Sequence, residues 1–297
     1  MHQLLDAVFE PGFFASPQVH IAATIGGVVA IVSAVTGVFT VMRGQSFGGH
    51  ALGDVSAAGG SAALLVGLTP VAGFVGLGIV GAAAMDMIGV RRLRSRDLAT
   101  GVVLGSAIGL TALFLYLTST RGTTTGAPQQ ILFGSIFTTT SSTIPVVAIL
   151  AAVALGAIAM VCRPLLLATM SPDIATARGV PVRLVGLVYM LALAVSVGLS
   201  SLAIGAILST ALLIGPPAAA LRVTNKVVWS VTVACLFGVA ATWIGILLSY
   251  DSFYWGASHQ ALPVSFFIVA AVIATYLLAG LVARQRAPAA VDHGRAG

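Results

Sequence analysis

Charge is what this sequence lacks. Only 7% of its 297 residues are Asp, Glu, Lys or Arg, against about 25% in an ordinary soluble domain. A chain so poor in charge cannot cover a water-facing surface, which excludes a soluble enzyme or binding module. It has a single lysine, Lys226, in "VTNKVV". That lysine lies in no G-x-x-x-x-G-K-[ST] loop, so an ATPase of the P-loop type is excluded as well. H-E-x-x-H is also missing. Tyr250-Asp251, read as part of an outer loop, has no second intramembrane aspartate beside it, which disfavours a membrane protease. The two cysteines, Cys162 and Cys235, fall inside apolar runs and read as small buried hydrophobes rather than a disulfide framework. The N-terminus has no basic n-region of a signal peptide. Residues 1–18 read instead as an interfacial segment, "LLDAVFEPGFF", broken at Pro11-Gly12.

What fills the chain is apolar: 58% of residues are hydrophobic and the mean hydropathy is +1.07. Several uninterrupted apolar runs of about 20 residues predict an all-α polytopic membrane protein. About nine spanning helices are expected, at 19–42, 49–69, 71–89, 98–118, 144–162, 184–200, 203–221, 227–248 and 264–283. Only "SSL" separates the sixth from the seventh. The net charge of +6 is a topology signal, not a mark of nucleic-acid binding. With the N-terminus outside, Arg43, Arg91, Arg92, Arg94, Arg96, Arg163, Arg178, Arg183, Arg222, Lys226, Arg284, Arg286 and Arg295 all fall on the inner side, and only Arg121 stays outside.

Small residues predict tight helix packing: Gly101, Gly105 and Gly109 along one face, and Gly73, Gly76, Gly78 and Gly81 in the third span. Tyr254, Trp255 and Tyr276 read as interfacial anchors. His259 reads as a solvated outer-loop residue. Residues 284–297 read as a disordered inner tail, and its His293 is no metal-site candidate.

Besides His20 at the start of the first span, the strongly polar side chains within the expected spans are His50, Asp54 and Asp86. A carboxylate at mid-bilayer costs about 2.5–3.5 kcal/mol on insertion scales, so it needs a partner or a polar cavity. Asp86 lies one turn from "RRLRSR" (91–96) and can pair with that cluster. His50 and Asp54, at i and i+4, share one helix face. They form either a buried hydrogen-bonded pair or two N/O ligands for a divalent cation. Two ligands are too few for a closed site, so water, backbone carbonyls or another subunit would complete it.

The inner loop 163–183 reads "RPLLLATMSPDIATARGVPVR". Ser171 suits an N-cap, Pro172 the first helical position and Asp173 the positive end of the dipole. Arg178-Gly179 suits the C-terminus, and Val180-Pro181 stops continuation. With Ala175 inside it, this short helix either lies on the headgroups or docks a cytoplasmic partner. Pro216-Pro217 would kink or end the seventh span near a cytoplasmic gate.

"QSFGGHALGDVSAAGGSAALLVG", "MSPDIATARGV" and "GAILSTALLIGPPAAALRVT" resemble, in order, the permease subunits of bacterial zinc, manganese and iron ABC importers. The resemblance covers most of residues 20–283 and implies a type II-like transmembrane domain over 19–283, in the bacterial plasma membrane. It also implies a homodimer, two separate ATP-binding subunits on the cytoplasmic side and a metal-binding protein outside. The chain itself would then be no enzyme and would bind no cofactor; ATP would belong to the partner subunit. The capped inner helix would be the coupling helix. The family commonly reads "GDALSHA" where this chain has "GHALGDV", so aspartate and histidine are exchanged at the same i,i+4 spacing. "LPVSFF" (262–267) also departs from the family, which often has glycine after the proline. The resemblance, and the exchanged motif with it, leans toward the zinc branch. A stand-alone cation channel or proton-coupled transporter is the alternative.

Overall fold

The computed structural model describes residues 13, 16–87, 93–121, 126–134, 136–254 and 262–286. They form eleven helices: α1 (Pro17–Met42), α2 (Ser46–Val66), α3 (Pro70–Met87), α4 (Leu93–Thr120), α5 (Ala127–Phe133), α6 (Thr143–Met170), α7 (Pro172–Ala177), α8 (Val182–Ile204), α9 (Ser209–Val223), α10 (Val227–Ser252) and α11 (Val264–Arg286). Six of them contain stretches long and apolar enough to cross a membrane: α1, the Thr100–Thr120 part of α4, α6, α8, α10 and the Val264–Gln285 part of α11. The expected all-helical membrane architecture is therefore present. α3 is apolar but shorter. Glycine, serine, His50 and Asp54 dilute the apolarity of α2.

α1 and α8 form the centre, and the windows that qualify them as spans are 72% and 78% buried. That figure is 22% in α4, α6 and α11, whose apolar side chains face outward as lipid-facing helices do. α2 packs against α3, α4 and α8. Gly59 and Gly73 let the backbones of α2 and α3 touch, each lying against the other's carbonyl. Gly78 closes on Ser56 and Gly81 on Val55, so tight packing of the third span holds there. The Gly101–Gly105–Gly109 stripe behaves otherwise. A Cβ on any of the three would meet nothing within 4 Å, so this face of α4 is open in the described chain rather than packed.

Several boundaries correct the sequence reading. The break expected at "SSL" falls instead at 205–208, where Gly205 takes φ +88° and α8 runs on unbroken to Ile204. α6 does not stop at Cys162; it passes through Pro164 to Met170, carrying Arg163 with it. Apolar packing of Leu165 and Ala168 holds that extension although proline removes one helical hydrogen bond. Tyr250-Asp251 is not loop but the last turn of α10, with Asp251 only 9% exposed. The short α5, with Ala127 and Ile131 buried, was not expected; the backbone amide of Ala206 donates to the Ile131 carbonyl and docks it at the 205–208 break. Asp86 is half-buried, and its expected partners Arg91 and Arg92 lie outside the described residues. So do Trp255, His259, His293, Arg295 and residues 1–12 of the interfacial segment.

Candidate functional site

α1 ends in a Schellman turn: the Gly44 amide donates to the Val41 carbonyl and the Gln45 amide to that of Thr40, with Gly44 at φ +61°. α2 starts at once, the Gly49 amide already bonding to the Gln45 carbonyl. His50 is therefore in the second turn of α2 and Asp54 in the third. One face of this helix is all small residues. A Cβ on Gly49 would lie 2.9 Å from Leu213 Cδ2, and one on Gly53 3.3 Å from Ser209 Oγ, so α9 packs directly on the α2 backbone. That contact turns His50 and Asp54 toward a different side.

From Ala51 to Ser61, Asp54 is the one residue that is not buried. The side chains of His50 and Asp54 are 40% and 14% exposed, and His50 Nε2 lies 3.7 Å from Asp54 Oδ2. That separation is attractive but too long for a hydrogen bond. Asp54 Oδ2 is itself buried and has no hydrogen-bond partner. An acceptor left bare in a low-dielectric site is costly, and a cation on the open side would satisfy it. Phe47, one turn earlier and 47% exposed, continues the same open stripe. Among the described residues no group of three or more His, Cys, Asp and Glu could hold a metal. One chain thus presents one imidazole and one carboxylate together on an open face.

The other candidates lie elsewhere. Pro172–Ala177 forms the short helix α7, with Pro172 at its start, Asp173 in its first turn and the Ser171 hydroxyl accepting from the Ile174 amide at 3.5 Å. Gly179 takes φ +77°, and the Arg178 amide bonds back to the Ile174 and Ala175 carbonyls. Ala175 is fully buried, anchoring α7, while Pro172, Asp173, Ile174, Thr176, Ala177 and Arg178 are exposed. Such a helix offers one face outward.

Pro216 and Pro217 neither end nor visibly interrupt α9, which runs through them to Val223. Both are buried. Neither has an N–H, so the carbonyls of Leu212 and Leu213 lose their helical donors. Gly37 of α1 lies directly against the Leu213 carbonyl, a contact only a residue without a side chain permits.

Two features escaped the sequence reading. Between α1 and α8 runs a ladder of buried hydroxyls: Ser33 to Ser200 at 2.6 Å, Thr36 to Ser196 at 2.8 Å and Thr40 to Tyr189 at 2.8 Å. Its signal was the matched helical spacing of 33, 36 and 40 against 200, 196 and 189. The second is Arg43, read only as a topology charge. Its Nη1 donates to Thr169 Oγ1 at 3.2 Å, and its guanidinium lies 5.1 Å from the centre of the Tyr189 ring. Tyr276, read as an interfacial anchor, is stacked under Arg222, which also donates to its hydroxyl.

Comparison with known proteins agrees with this arrangement. Residues 17–279 match the model of the ABC 3 transport family. The chain is 30% identical over 232 residues to the manganese transport system membrane protein MntC of Halalkalibacterium halodurans, covering 77% of this chain and 78% of that protein. It is 25% identical over 237 residues to the high-affinity zinc uptake system membrane protein ZnuB of Haemophilus influenzae, covering 78% and 88%. The structure of PsaBC from Streptococcus pneumoniae in complex with Fab has the same fold, with TM-score 0.78 at 23% identity over 92% of this chain and 94% of that one. With a helical membrane architecture and a family match spanning nearly all of its described helices, the chain belongs to the ABC 3 transport family.

Proposed function

We propose that this chain is the permease subunit of an ATP-driven importer for a divalent transition metal, and that His50 and Asp54 are its metal ligands. The observation that carries the reading is the open stripe on α2. A helix otherwise buried along this stretch leaves one imidazole and one carboxylate partly uncovered, with a buried carboxylate oxygen lacking any hydrogen-bond partner. A second copy of the chain, facing the first across this stripe, brings the set to two histidines and two aspartates. Four N/O ligands suit Zn(II). The manganese name of the 30%-identical relative supports a second reading, Mn(II) with added waters.

The remaining parts follow the same reading. The domain is 19–283, crossing the bacterial plasma membrane about nine times with the N-terminus outside and the C-terminus in the cytoplasm. The ends of α1, α6 and α9 and the start of α8 then share the inner side, which supports placing α7 there as the coupling helix. Two ATP-binding subunits dock on the coupling helix through Ser171, Pro172, Asp173, Arg178 and Gly179, with the buried Ala175 seating it, and a metal-carrying protein docks outside. Pro216 and Pro217, one turn beyond the Leu213 that packs on Gly49, serve as part of the cytoplasmic gate.

The test is uptake of radioactive zinc and manganese, each competed by the other, in cells carrying the complete transporter at matched membrane levels. His50→Ala and Asp54→Ala are expected to abolish uptake, and the exchanged His50→Asp/Asp54→His variant to keep part of it. The stronger competitor identifies the metal. Normal transport by both alanine variants would make the pair structural and overturn the ligand assignment. Uptake that persists after ATP depletion would instead favour a channel or secondary transporter.

A further inference from the structure

We propose that Arg43 is the positioning residue that transmits movement of α7 to the His50–Asp54 helix. The inference rests on the reading of α7 as the ATPase docking helix and α2 as the metal helix.

Arg43 lies where three elements meet. It is the C-cap of α1, and only Gly44 and Gln45 separate it from α2. The Schellman bonds of Gly44 and Gln45 and the Gly49-to-Gln45 bond make that corner continuous hydrogen-bonded backbone, so displacement of Arg43 shifts the start of α2. His50 is seven residues on. In the other direction, Arg43 Nη1 donates to Thr169 Oγ1 at 3.2 Å. Thr169 is in the last turn of α6, two residues before Ser171, whose hydroxyl caps α7. The Thr169 hydroxyl is itself fixed, donating to the Leu165 carbonyl at 2.6 Å. Its oxygen therefore faces the guanidinium in a set orientation.

A second contact gives the guanidinium a fixed floor. It lies 5.1 Å from the centre of the Tyr189 ring, within cation–π range. Tyr189 is fully buried, and its hydroxyl bonds to Thr40 one turn before Arg43. The guanidinium is thus held between the end of α6 and the face of α8, with its own backbone in the α1–α2 corner. Any tilt of α7 carried by the end of α6 must either drag this corner or break the Arg43–Thr169 bond. The covalent path from α7 to α2 runs instead through α6 and back along much of the chain. The Arg43 link is the short one.

The experiment uses the complete transporter in proteoliposomes, with three readouts: basal ATP hydrolysis, hydrolysis in the presence of metal-loaded binding protein, and metal taken up per ATP. Arg43→Met keeps the apolar stem and removes the charge. It is expected to lower uptake per ATP about tenfold, within the usual range of coupling effects, while the ATP-binding subunits still copurify and basal hydrolysis persists. Thr169→Val, nearly isosteric, is expected to show the same defect in weaker form, and Arg43→Lys to recover part of the coupling. Arg43→Met/Thr169→Val should be no worse than Arg43→Met alone, because both remove one link. If Arg43→Met fails to accumulate, Thr169→Val decides. Coupling within twofold of wild type in that variant overturns the proposal. Ala175→Glu, which disrupts the seat of α7, is run beside them. Retained ATPase copurification in that variant would sink the docking reading, and with it this one. Loss of copurification there with normal coupling in Thr169→Val sinks the Arg43 link alone.

Discussion

Two polar regions cross the interior of this protein, and they are built oppositely. Between α1 and α8 the hydroxyls of Ser33, Thr36 and Thr40 are buried and each is bonded to a partner on α8. On α2, His50 and Asp54 face an open side and stop short of a hydrogen bond with each other. The first region is closed: nothing could enter without displacing a bond already made. The second is open on one side. In lipid, where water cannot satisfy a stray polar group, satisfied polar groups hold helices together and an unsatisfied one is costly.

The sharpest way to break this contrast is to exchange the fates of the two regions by mutation. Asp54→Leu should remove transport at least about 100-fold, the scale of losing roughly 2.7 kcal/mol at one step. The same change should not lower the melting temperature of the purified protein, because the carboxylate it removes has a bare oxygen. A clear loss of thermal stability would show that Asp54 is structural after all. Next comes Gly37→Val, which forces a branched side chain against the Leu213 carbonyl and Pro217. Overpacking of this kind costs about 1–3 kcal/mol and should appear as a lower melting temperature or poor accumulation. Thr36→Val is smaller still. Losing one interhelical hydroxyl bond in a membrane costs about 0.6 kcal/mol on average, so a slight drop in melting temperature with normal uptake is expected. Ser196→Ala added to it should cost little more, since the two share a bond. Smallest of all is Gly105→Leu on the open face of α4, where no neighbour stands within 4 Å. Stability should change by less than about 0.5 kcal/mol, and a larger loss in detergent-solubilised protein would mean that this face is covered.

What the sequence made legible follows the same division. His50 and Asp54 stood out because hydropathy registers a carboxylate and an imidazole among glycines and alanines at once. The capped helix at Ser171 was legible because capping is local chemistry, confined to a few consecutive residues. The hydroxyl ladder was silent. Thr36 also bonds to the carbonyl of Val32 at 2.8 Å on its own helix, so it fits an apolar span without penalty and leaves no mark on a hydropathy profile. Arg43 was read for its sign alone, since its partners Thr169 and Tyr189 are more than a hundred residues away. Helix ends failed where packing overrode local preference. Pro164 should have stopped α6, yet the buried faces of Leu165 and Ala168 carry it onward. "SSL" was all that separated two apolar runs, whereas the turn needed the positive φ available to Gly205.

The paired prolines of α9 have a mechanical consequence. Two successive rungs of that helix have no amide to offer, so flexing it there breaks fewer hydrogen bonds and the stiffness of an ordinary helix is reduced over one turn. Gly37 faces one of the freed carbonyls like a smooth bearing, while Leu213 on the same turn rests on Gly49 beside His50. α9 is thus a rod with its elbow placed against the helix that carries His50 and Asp54.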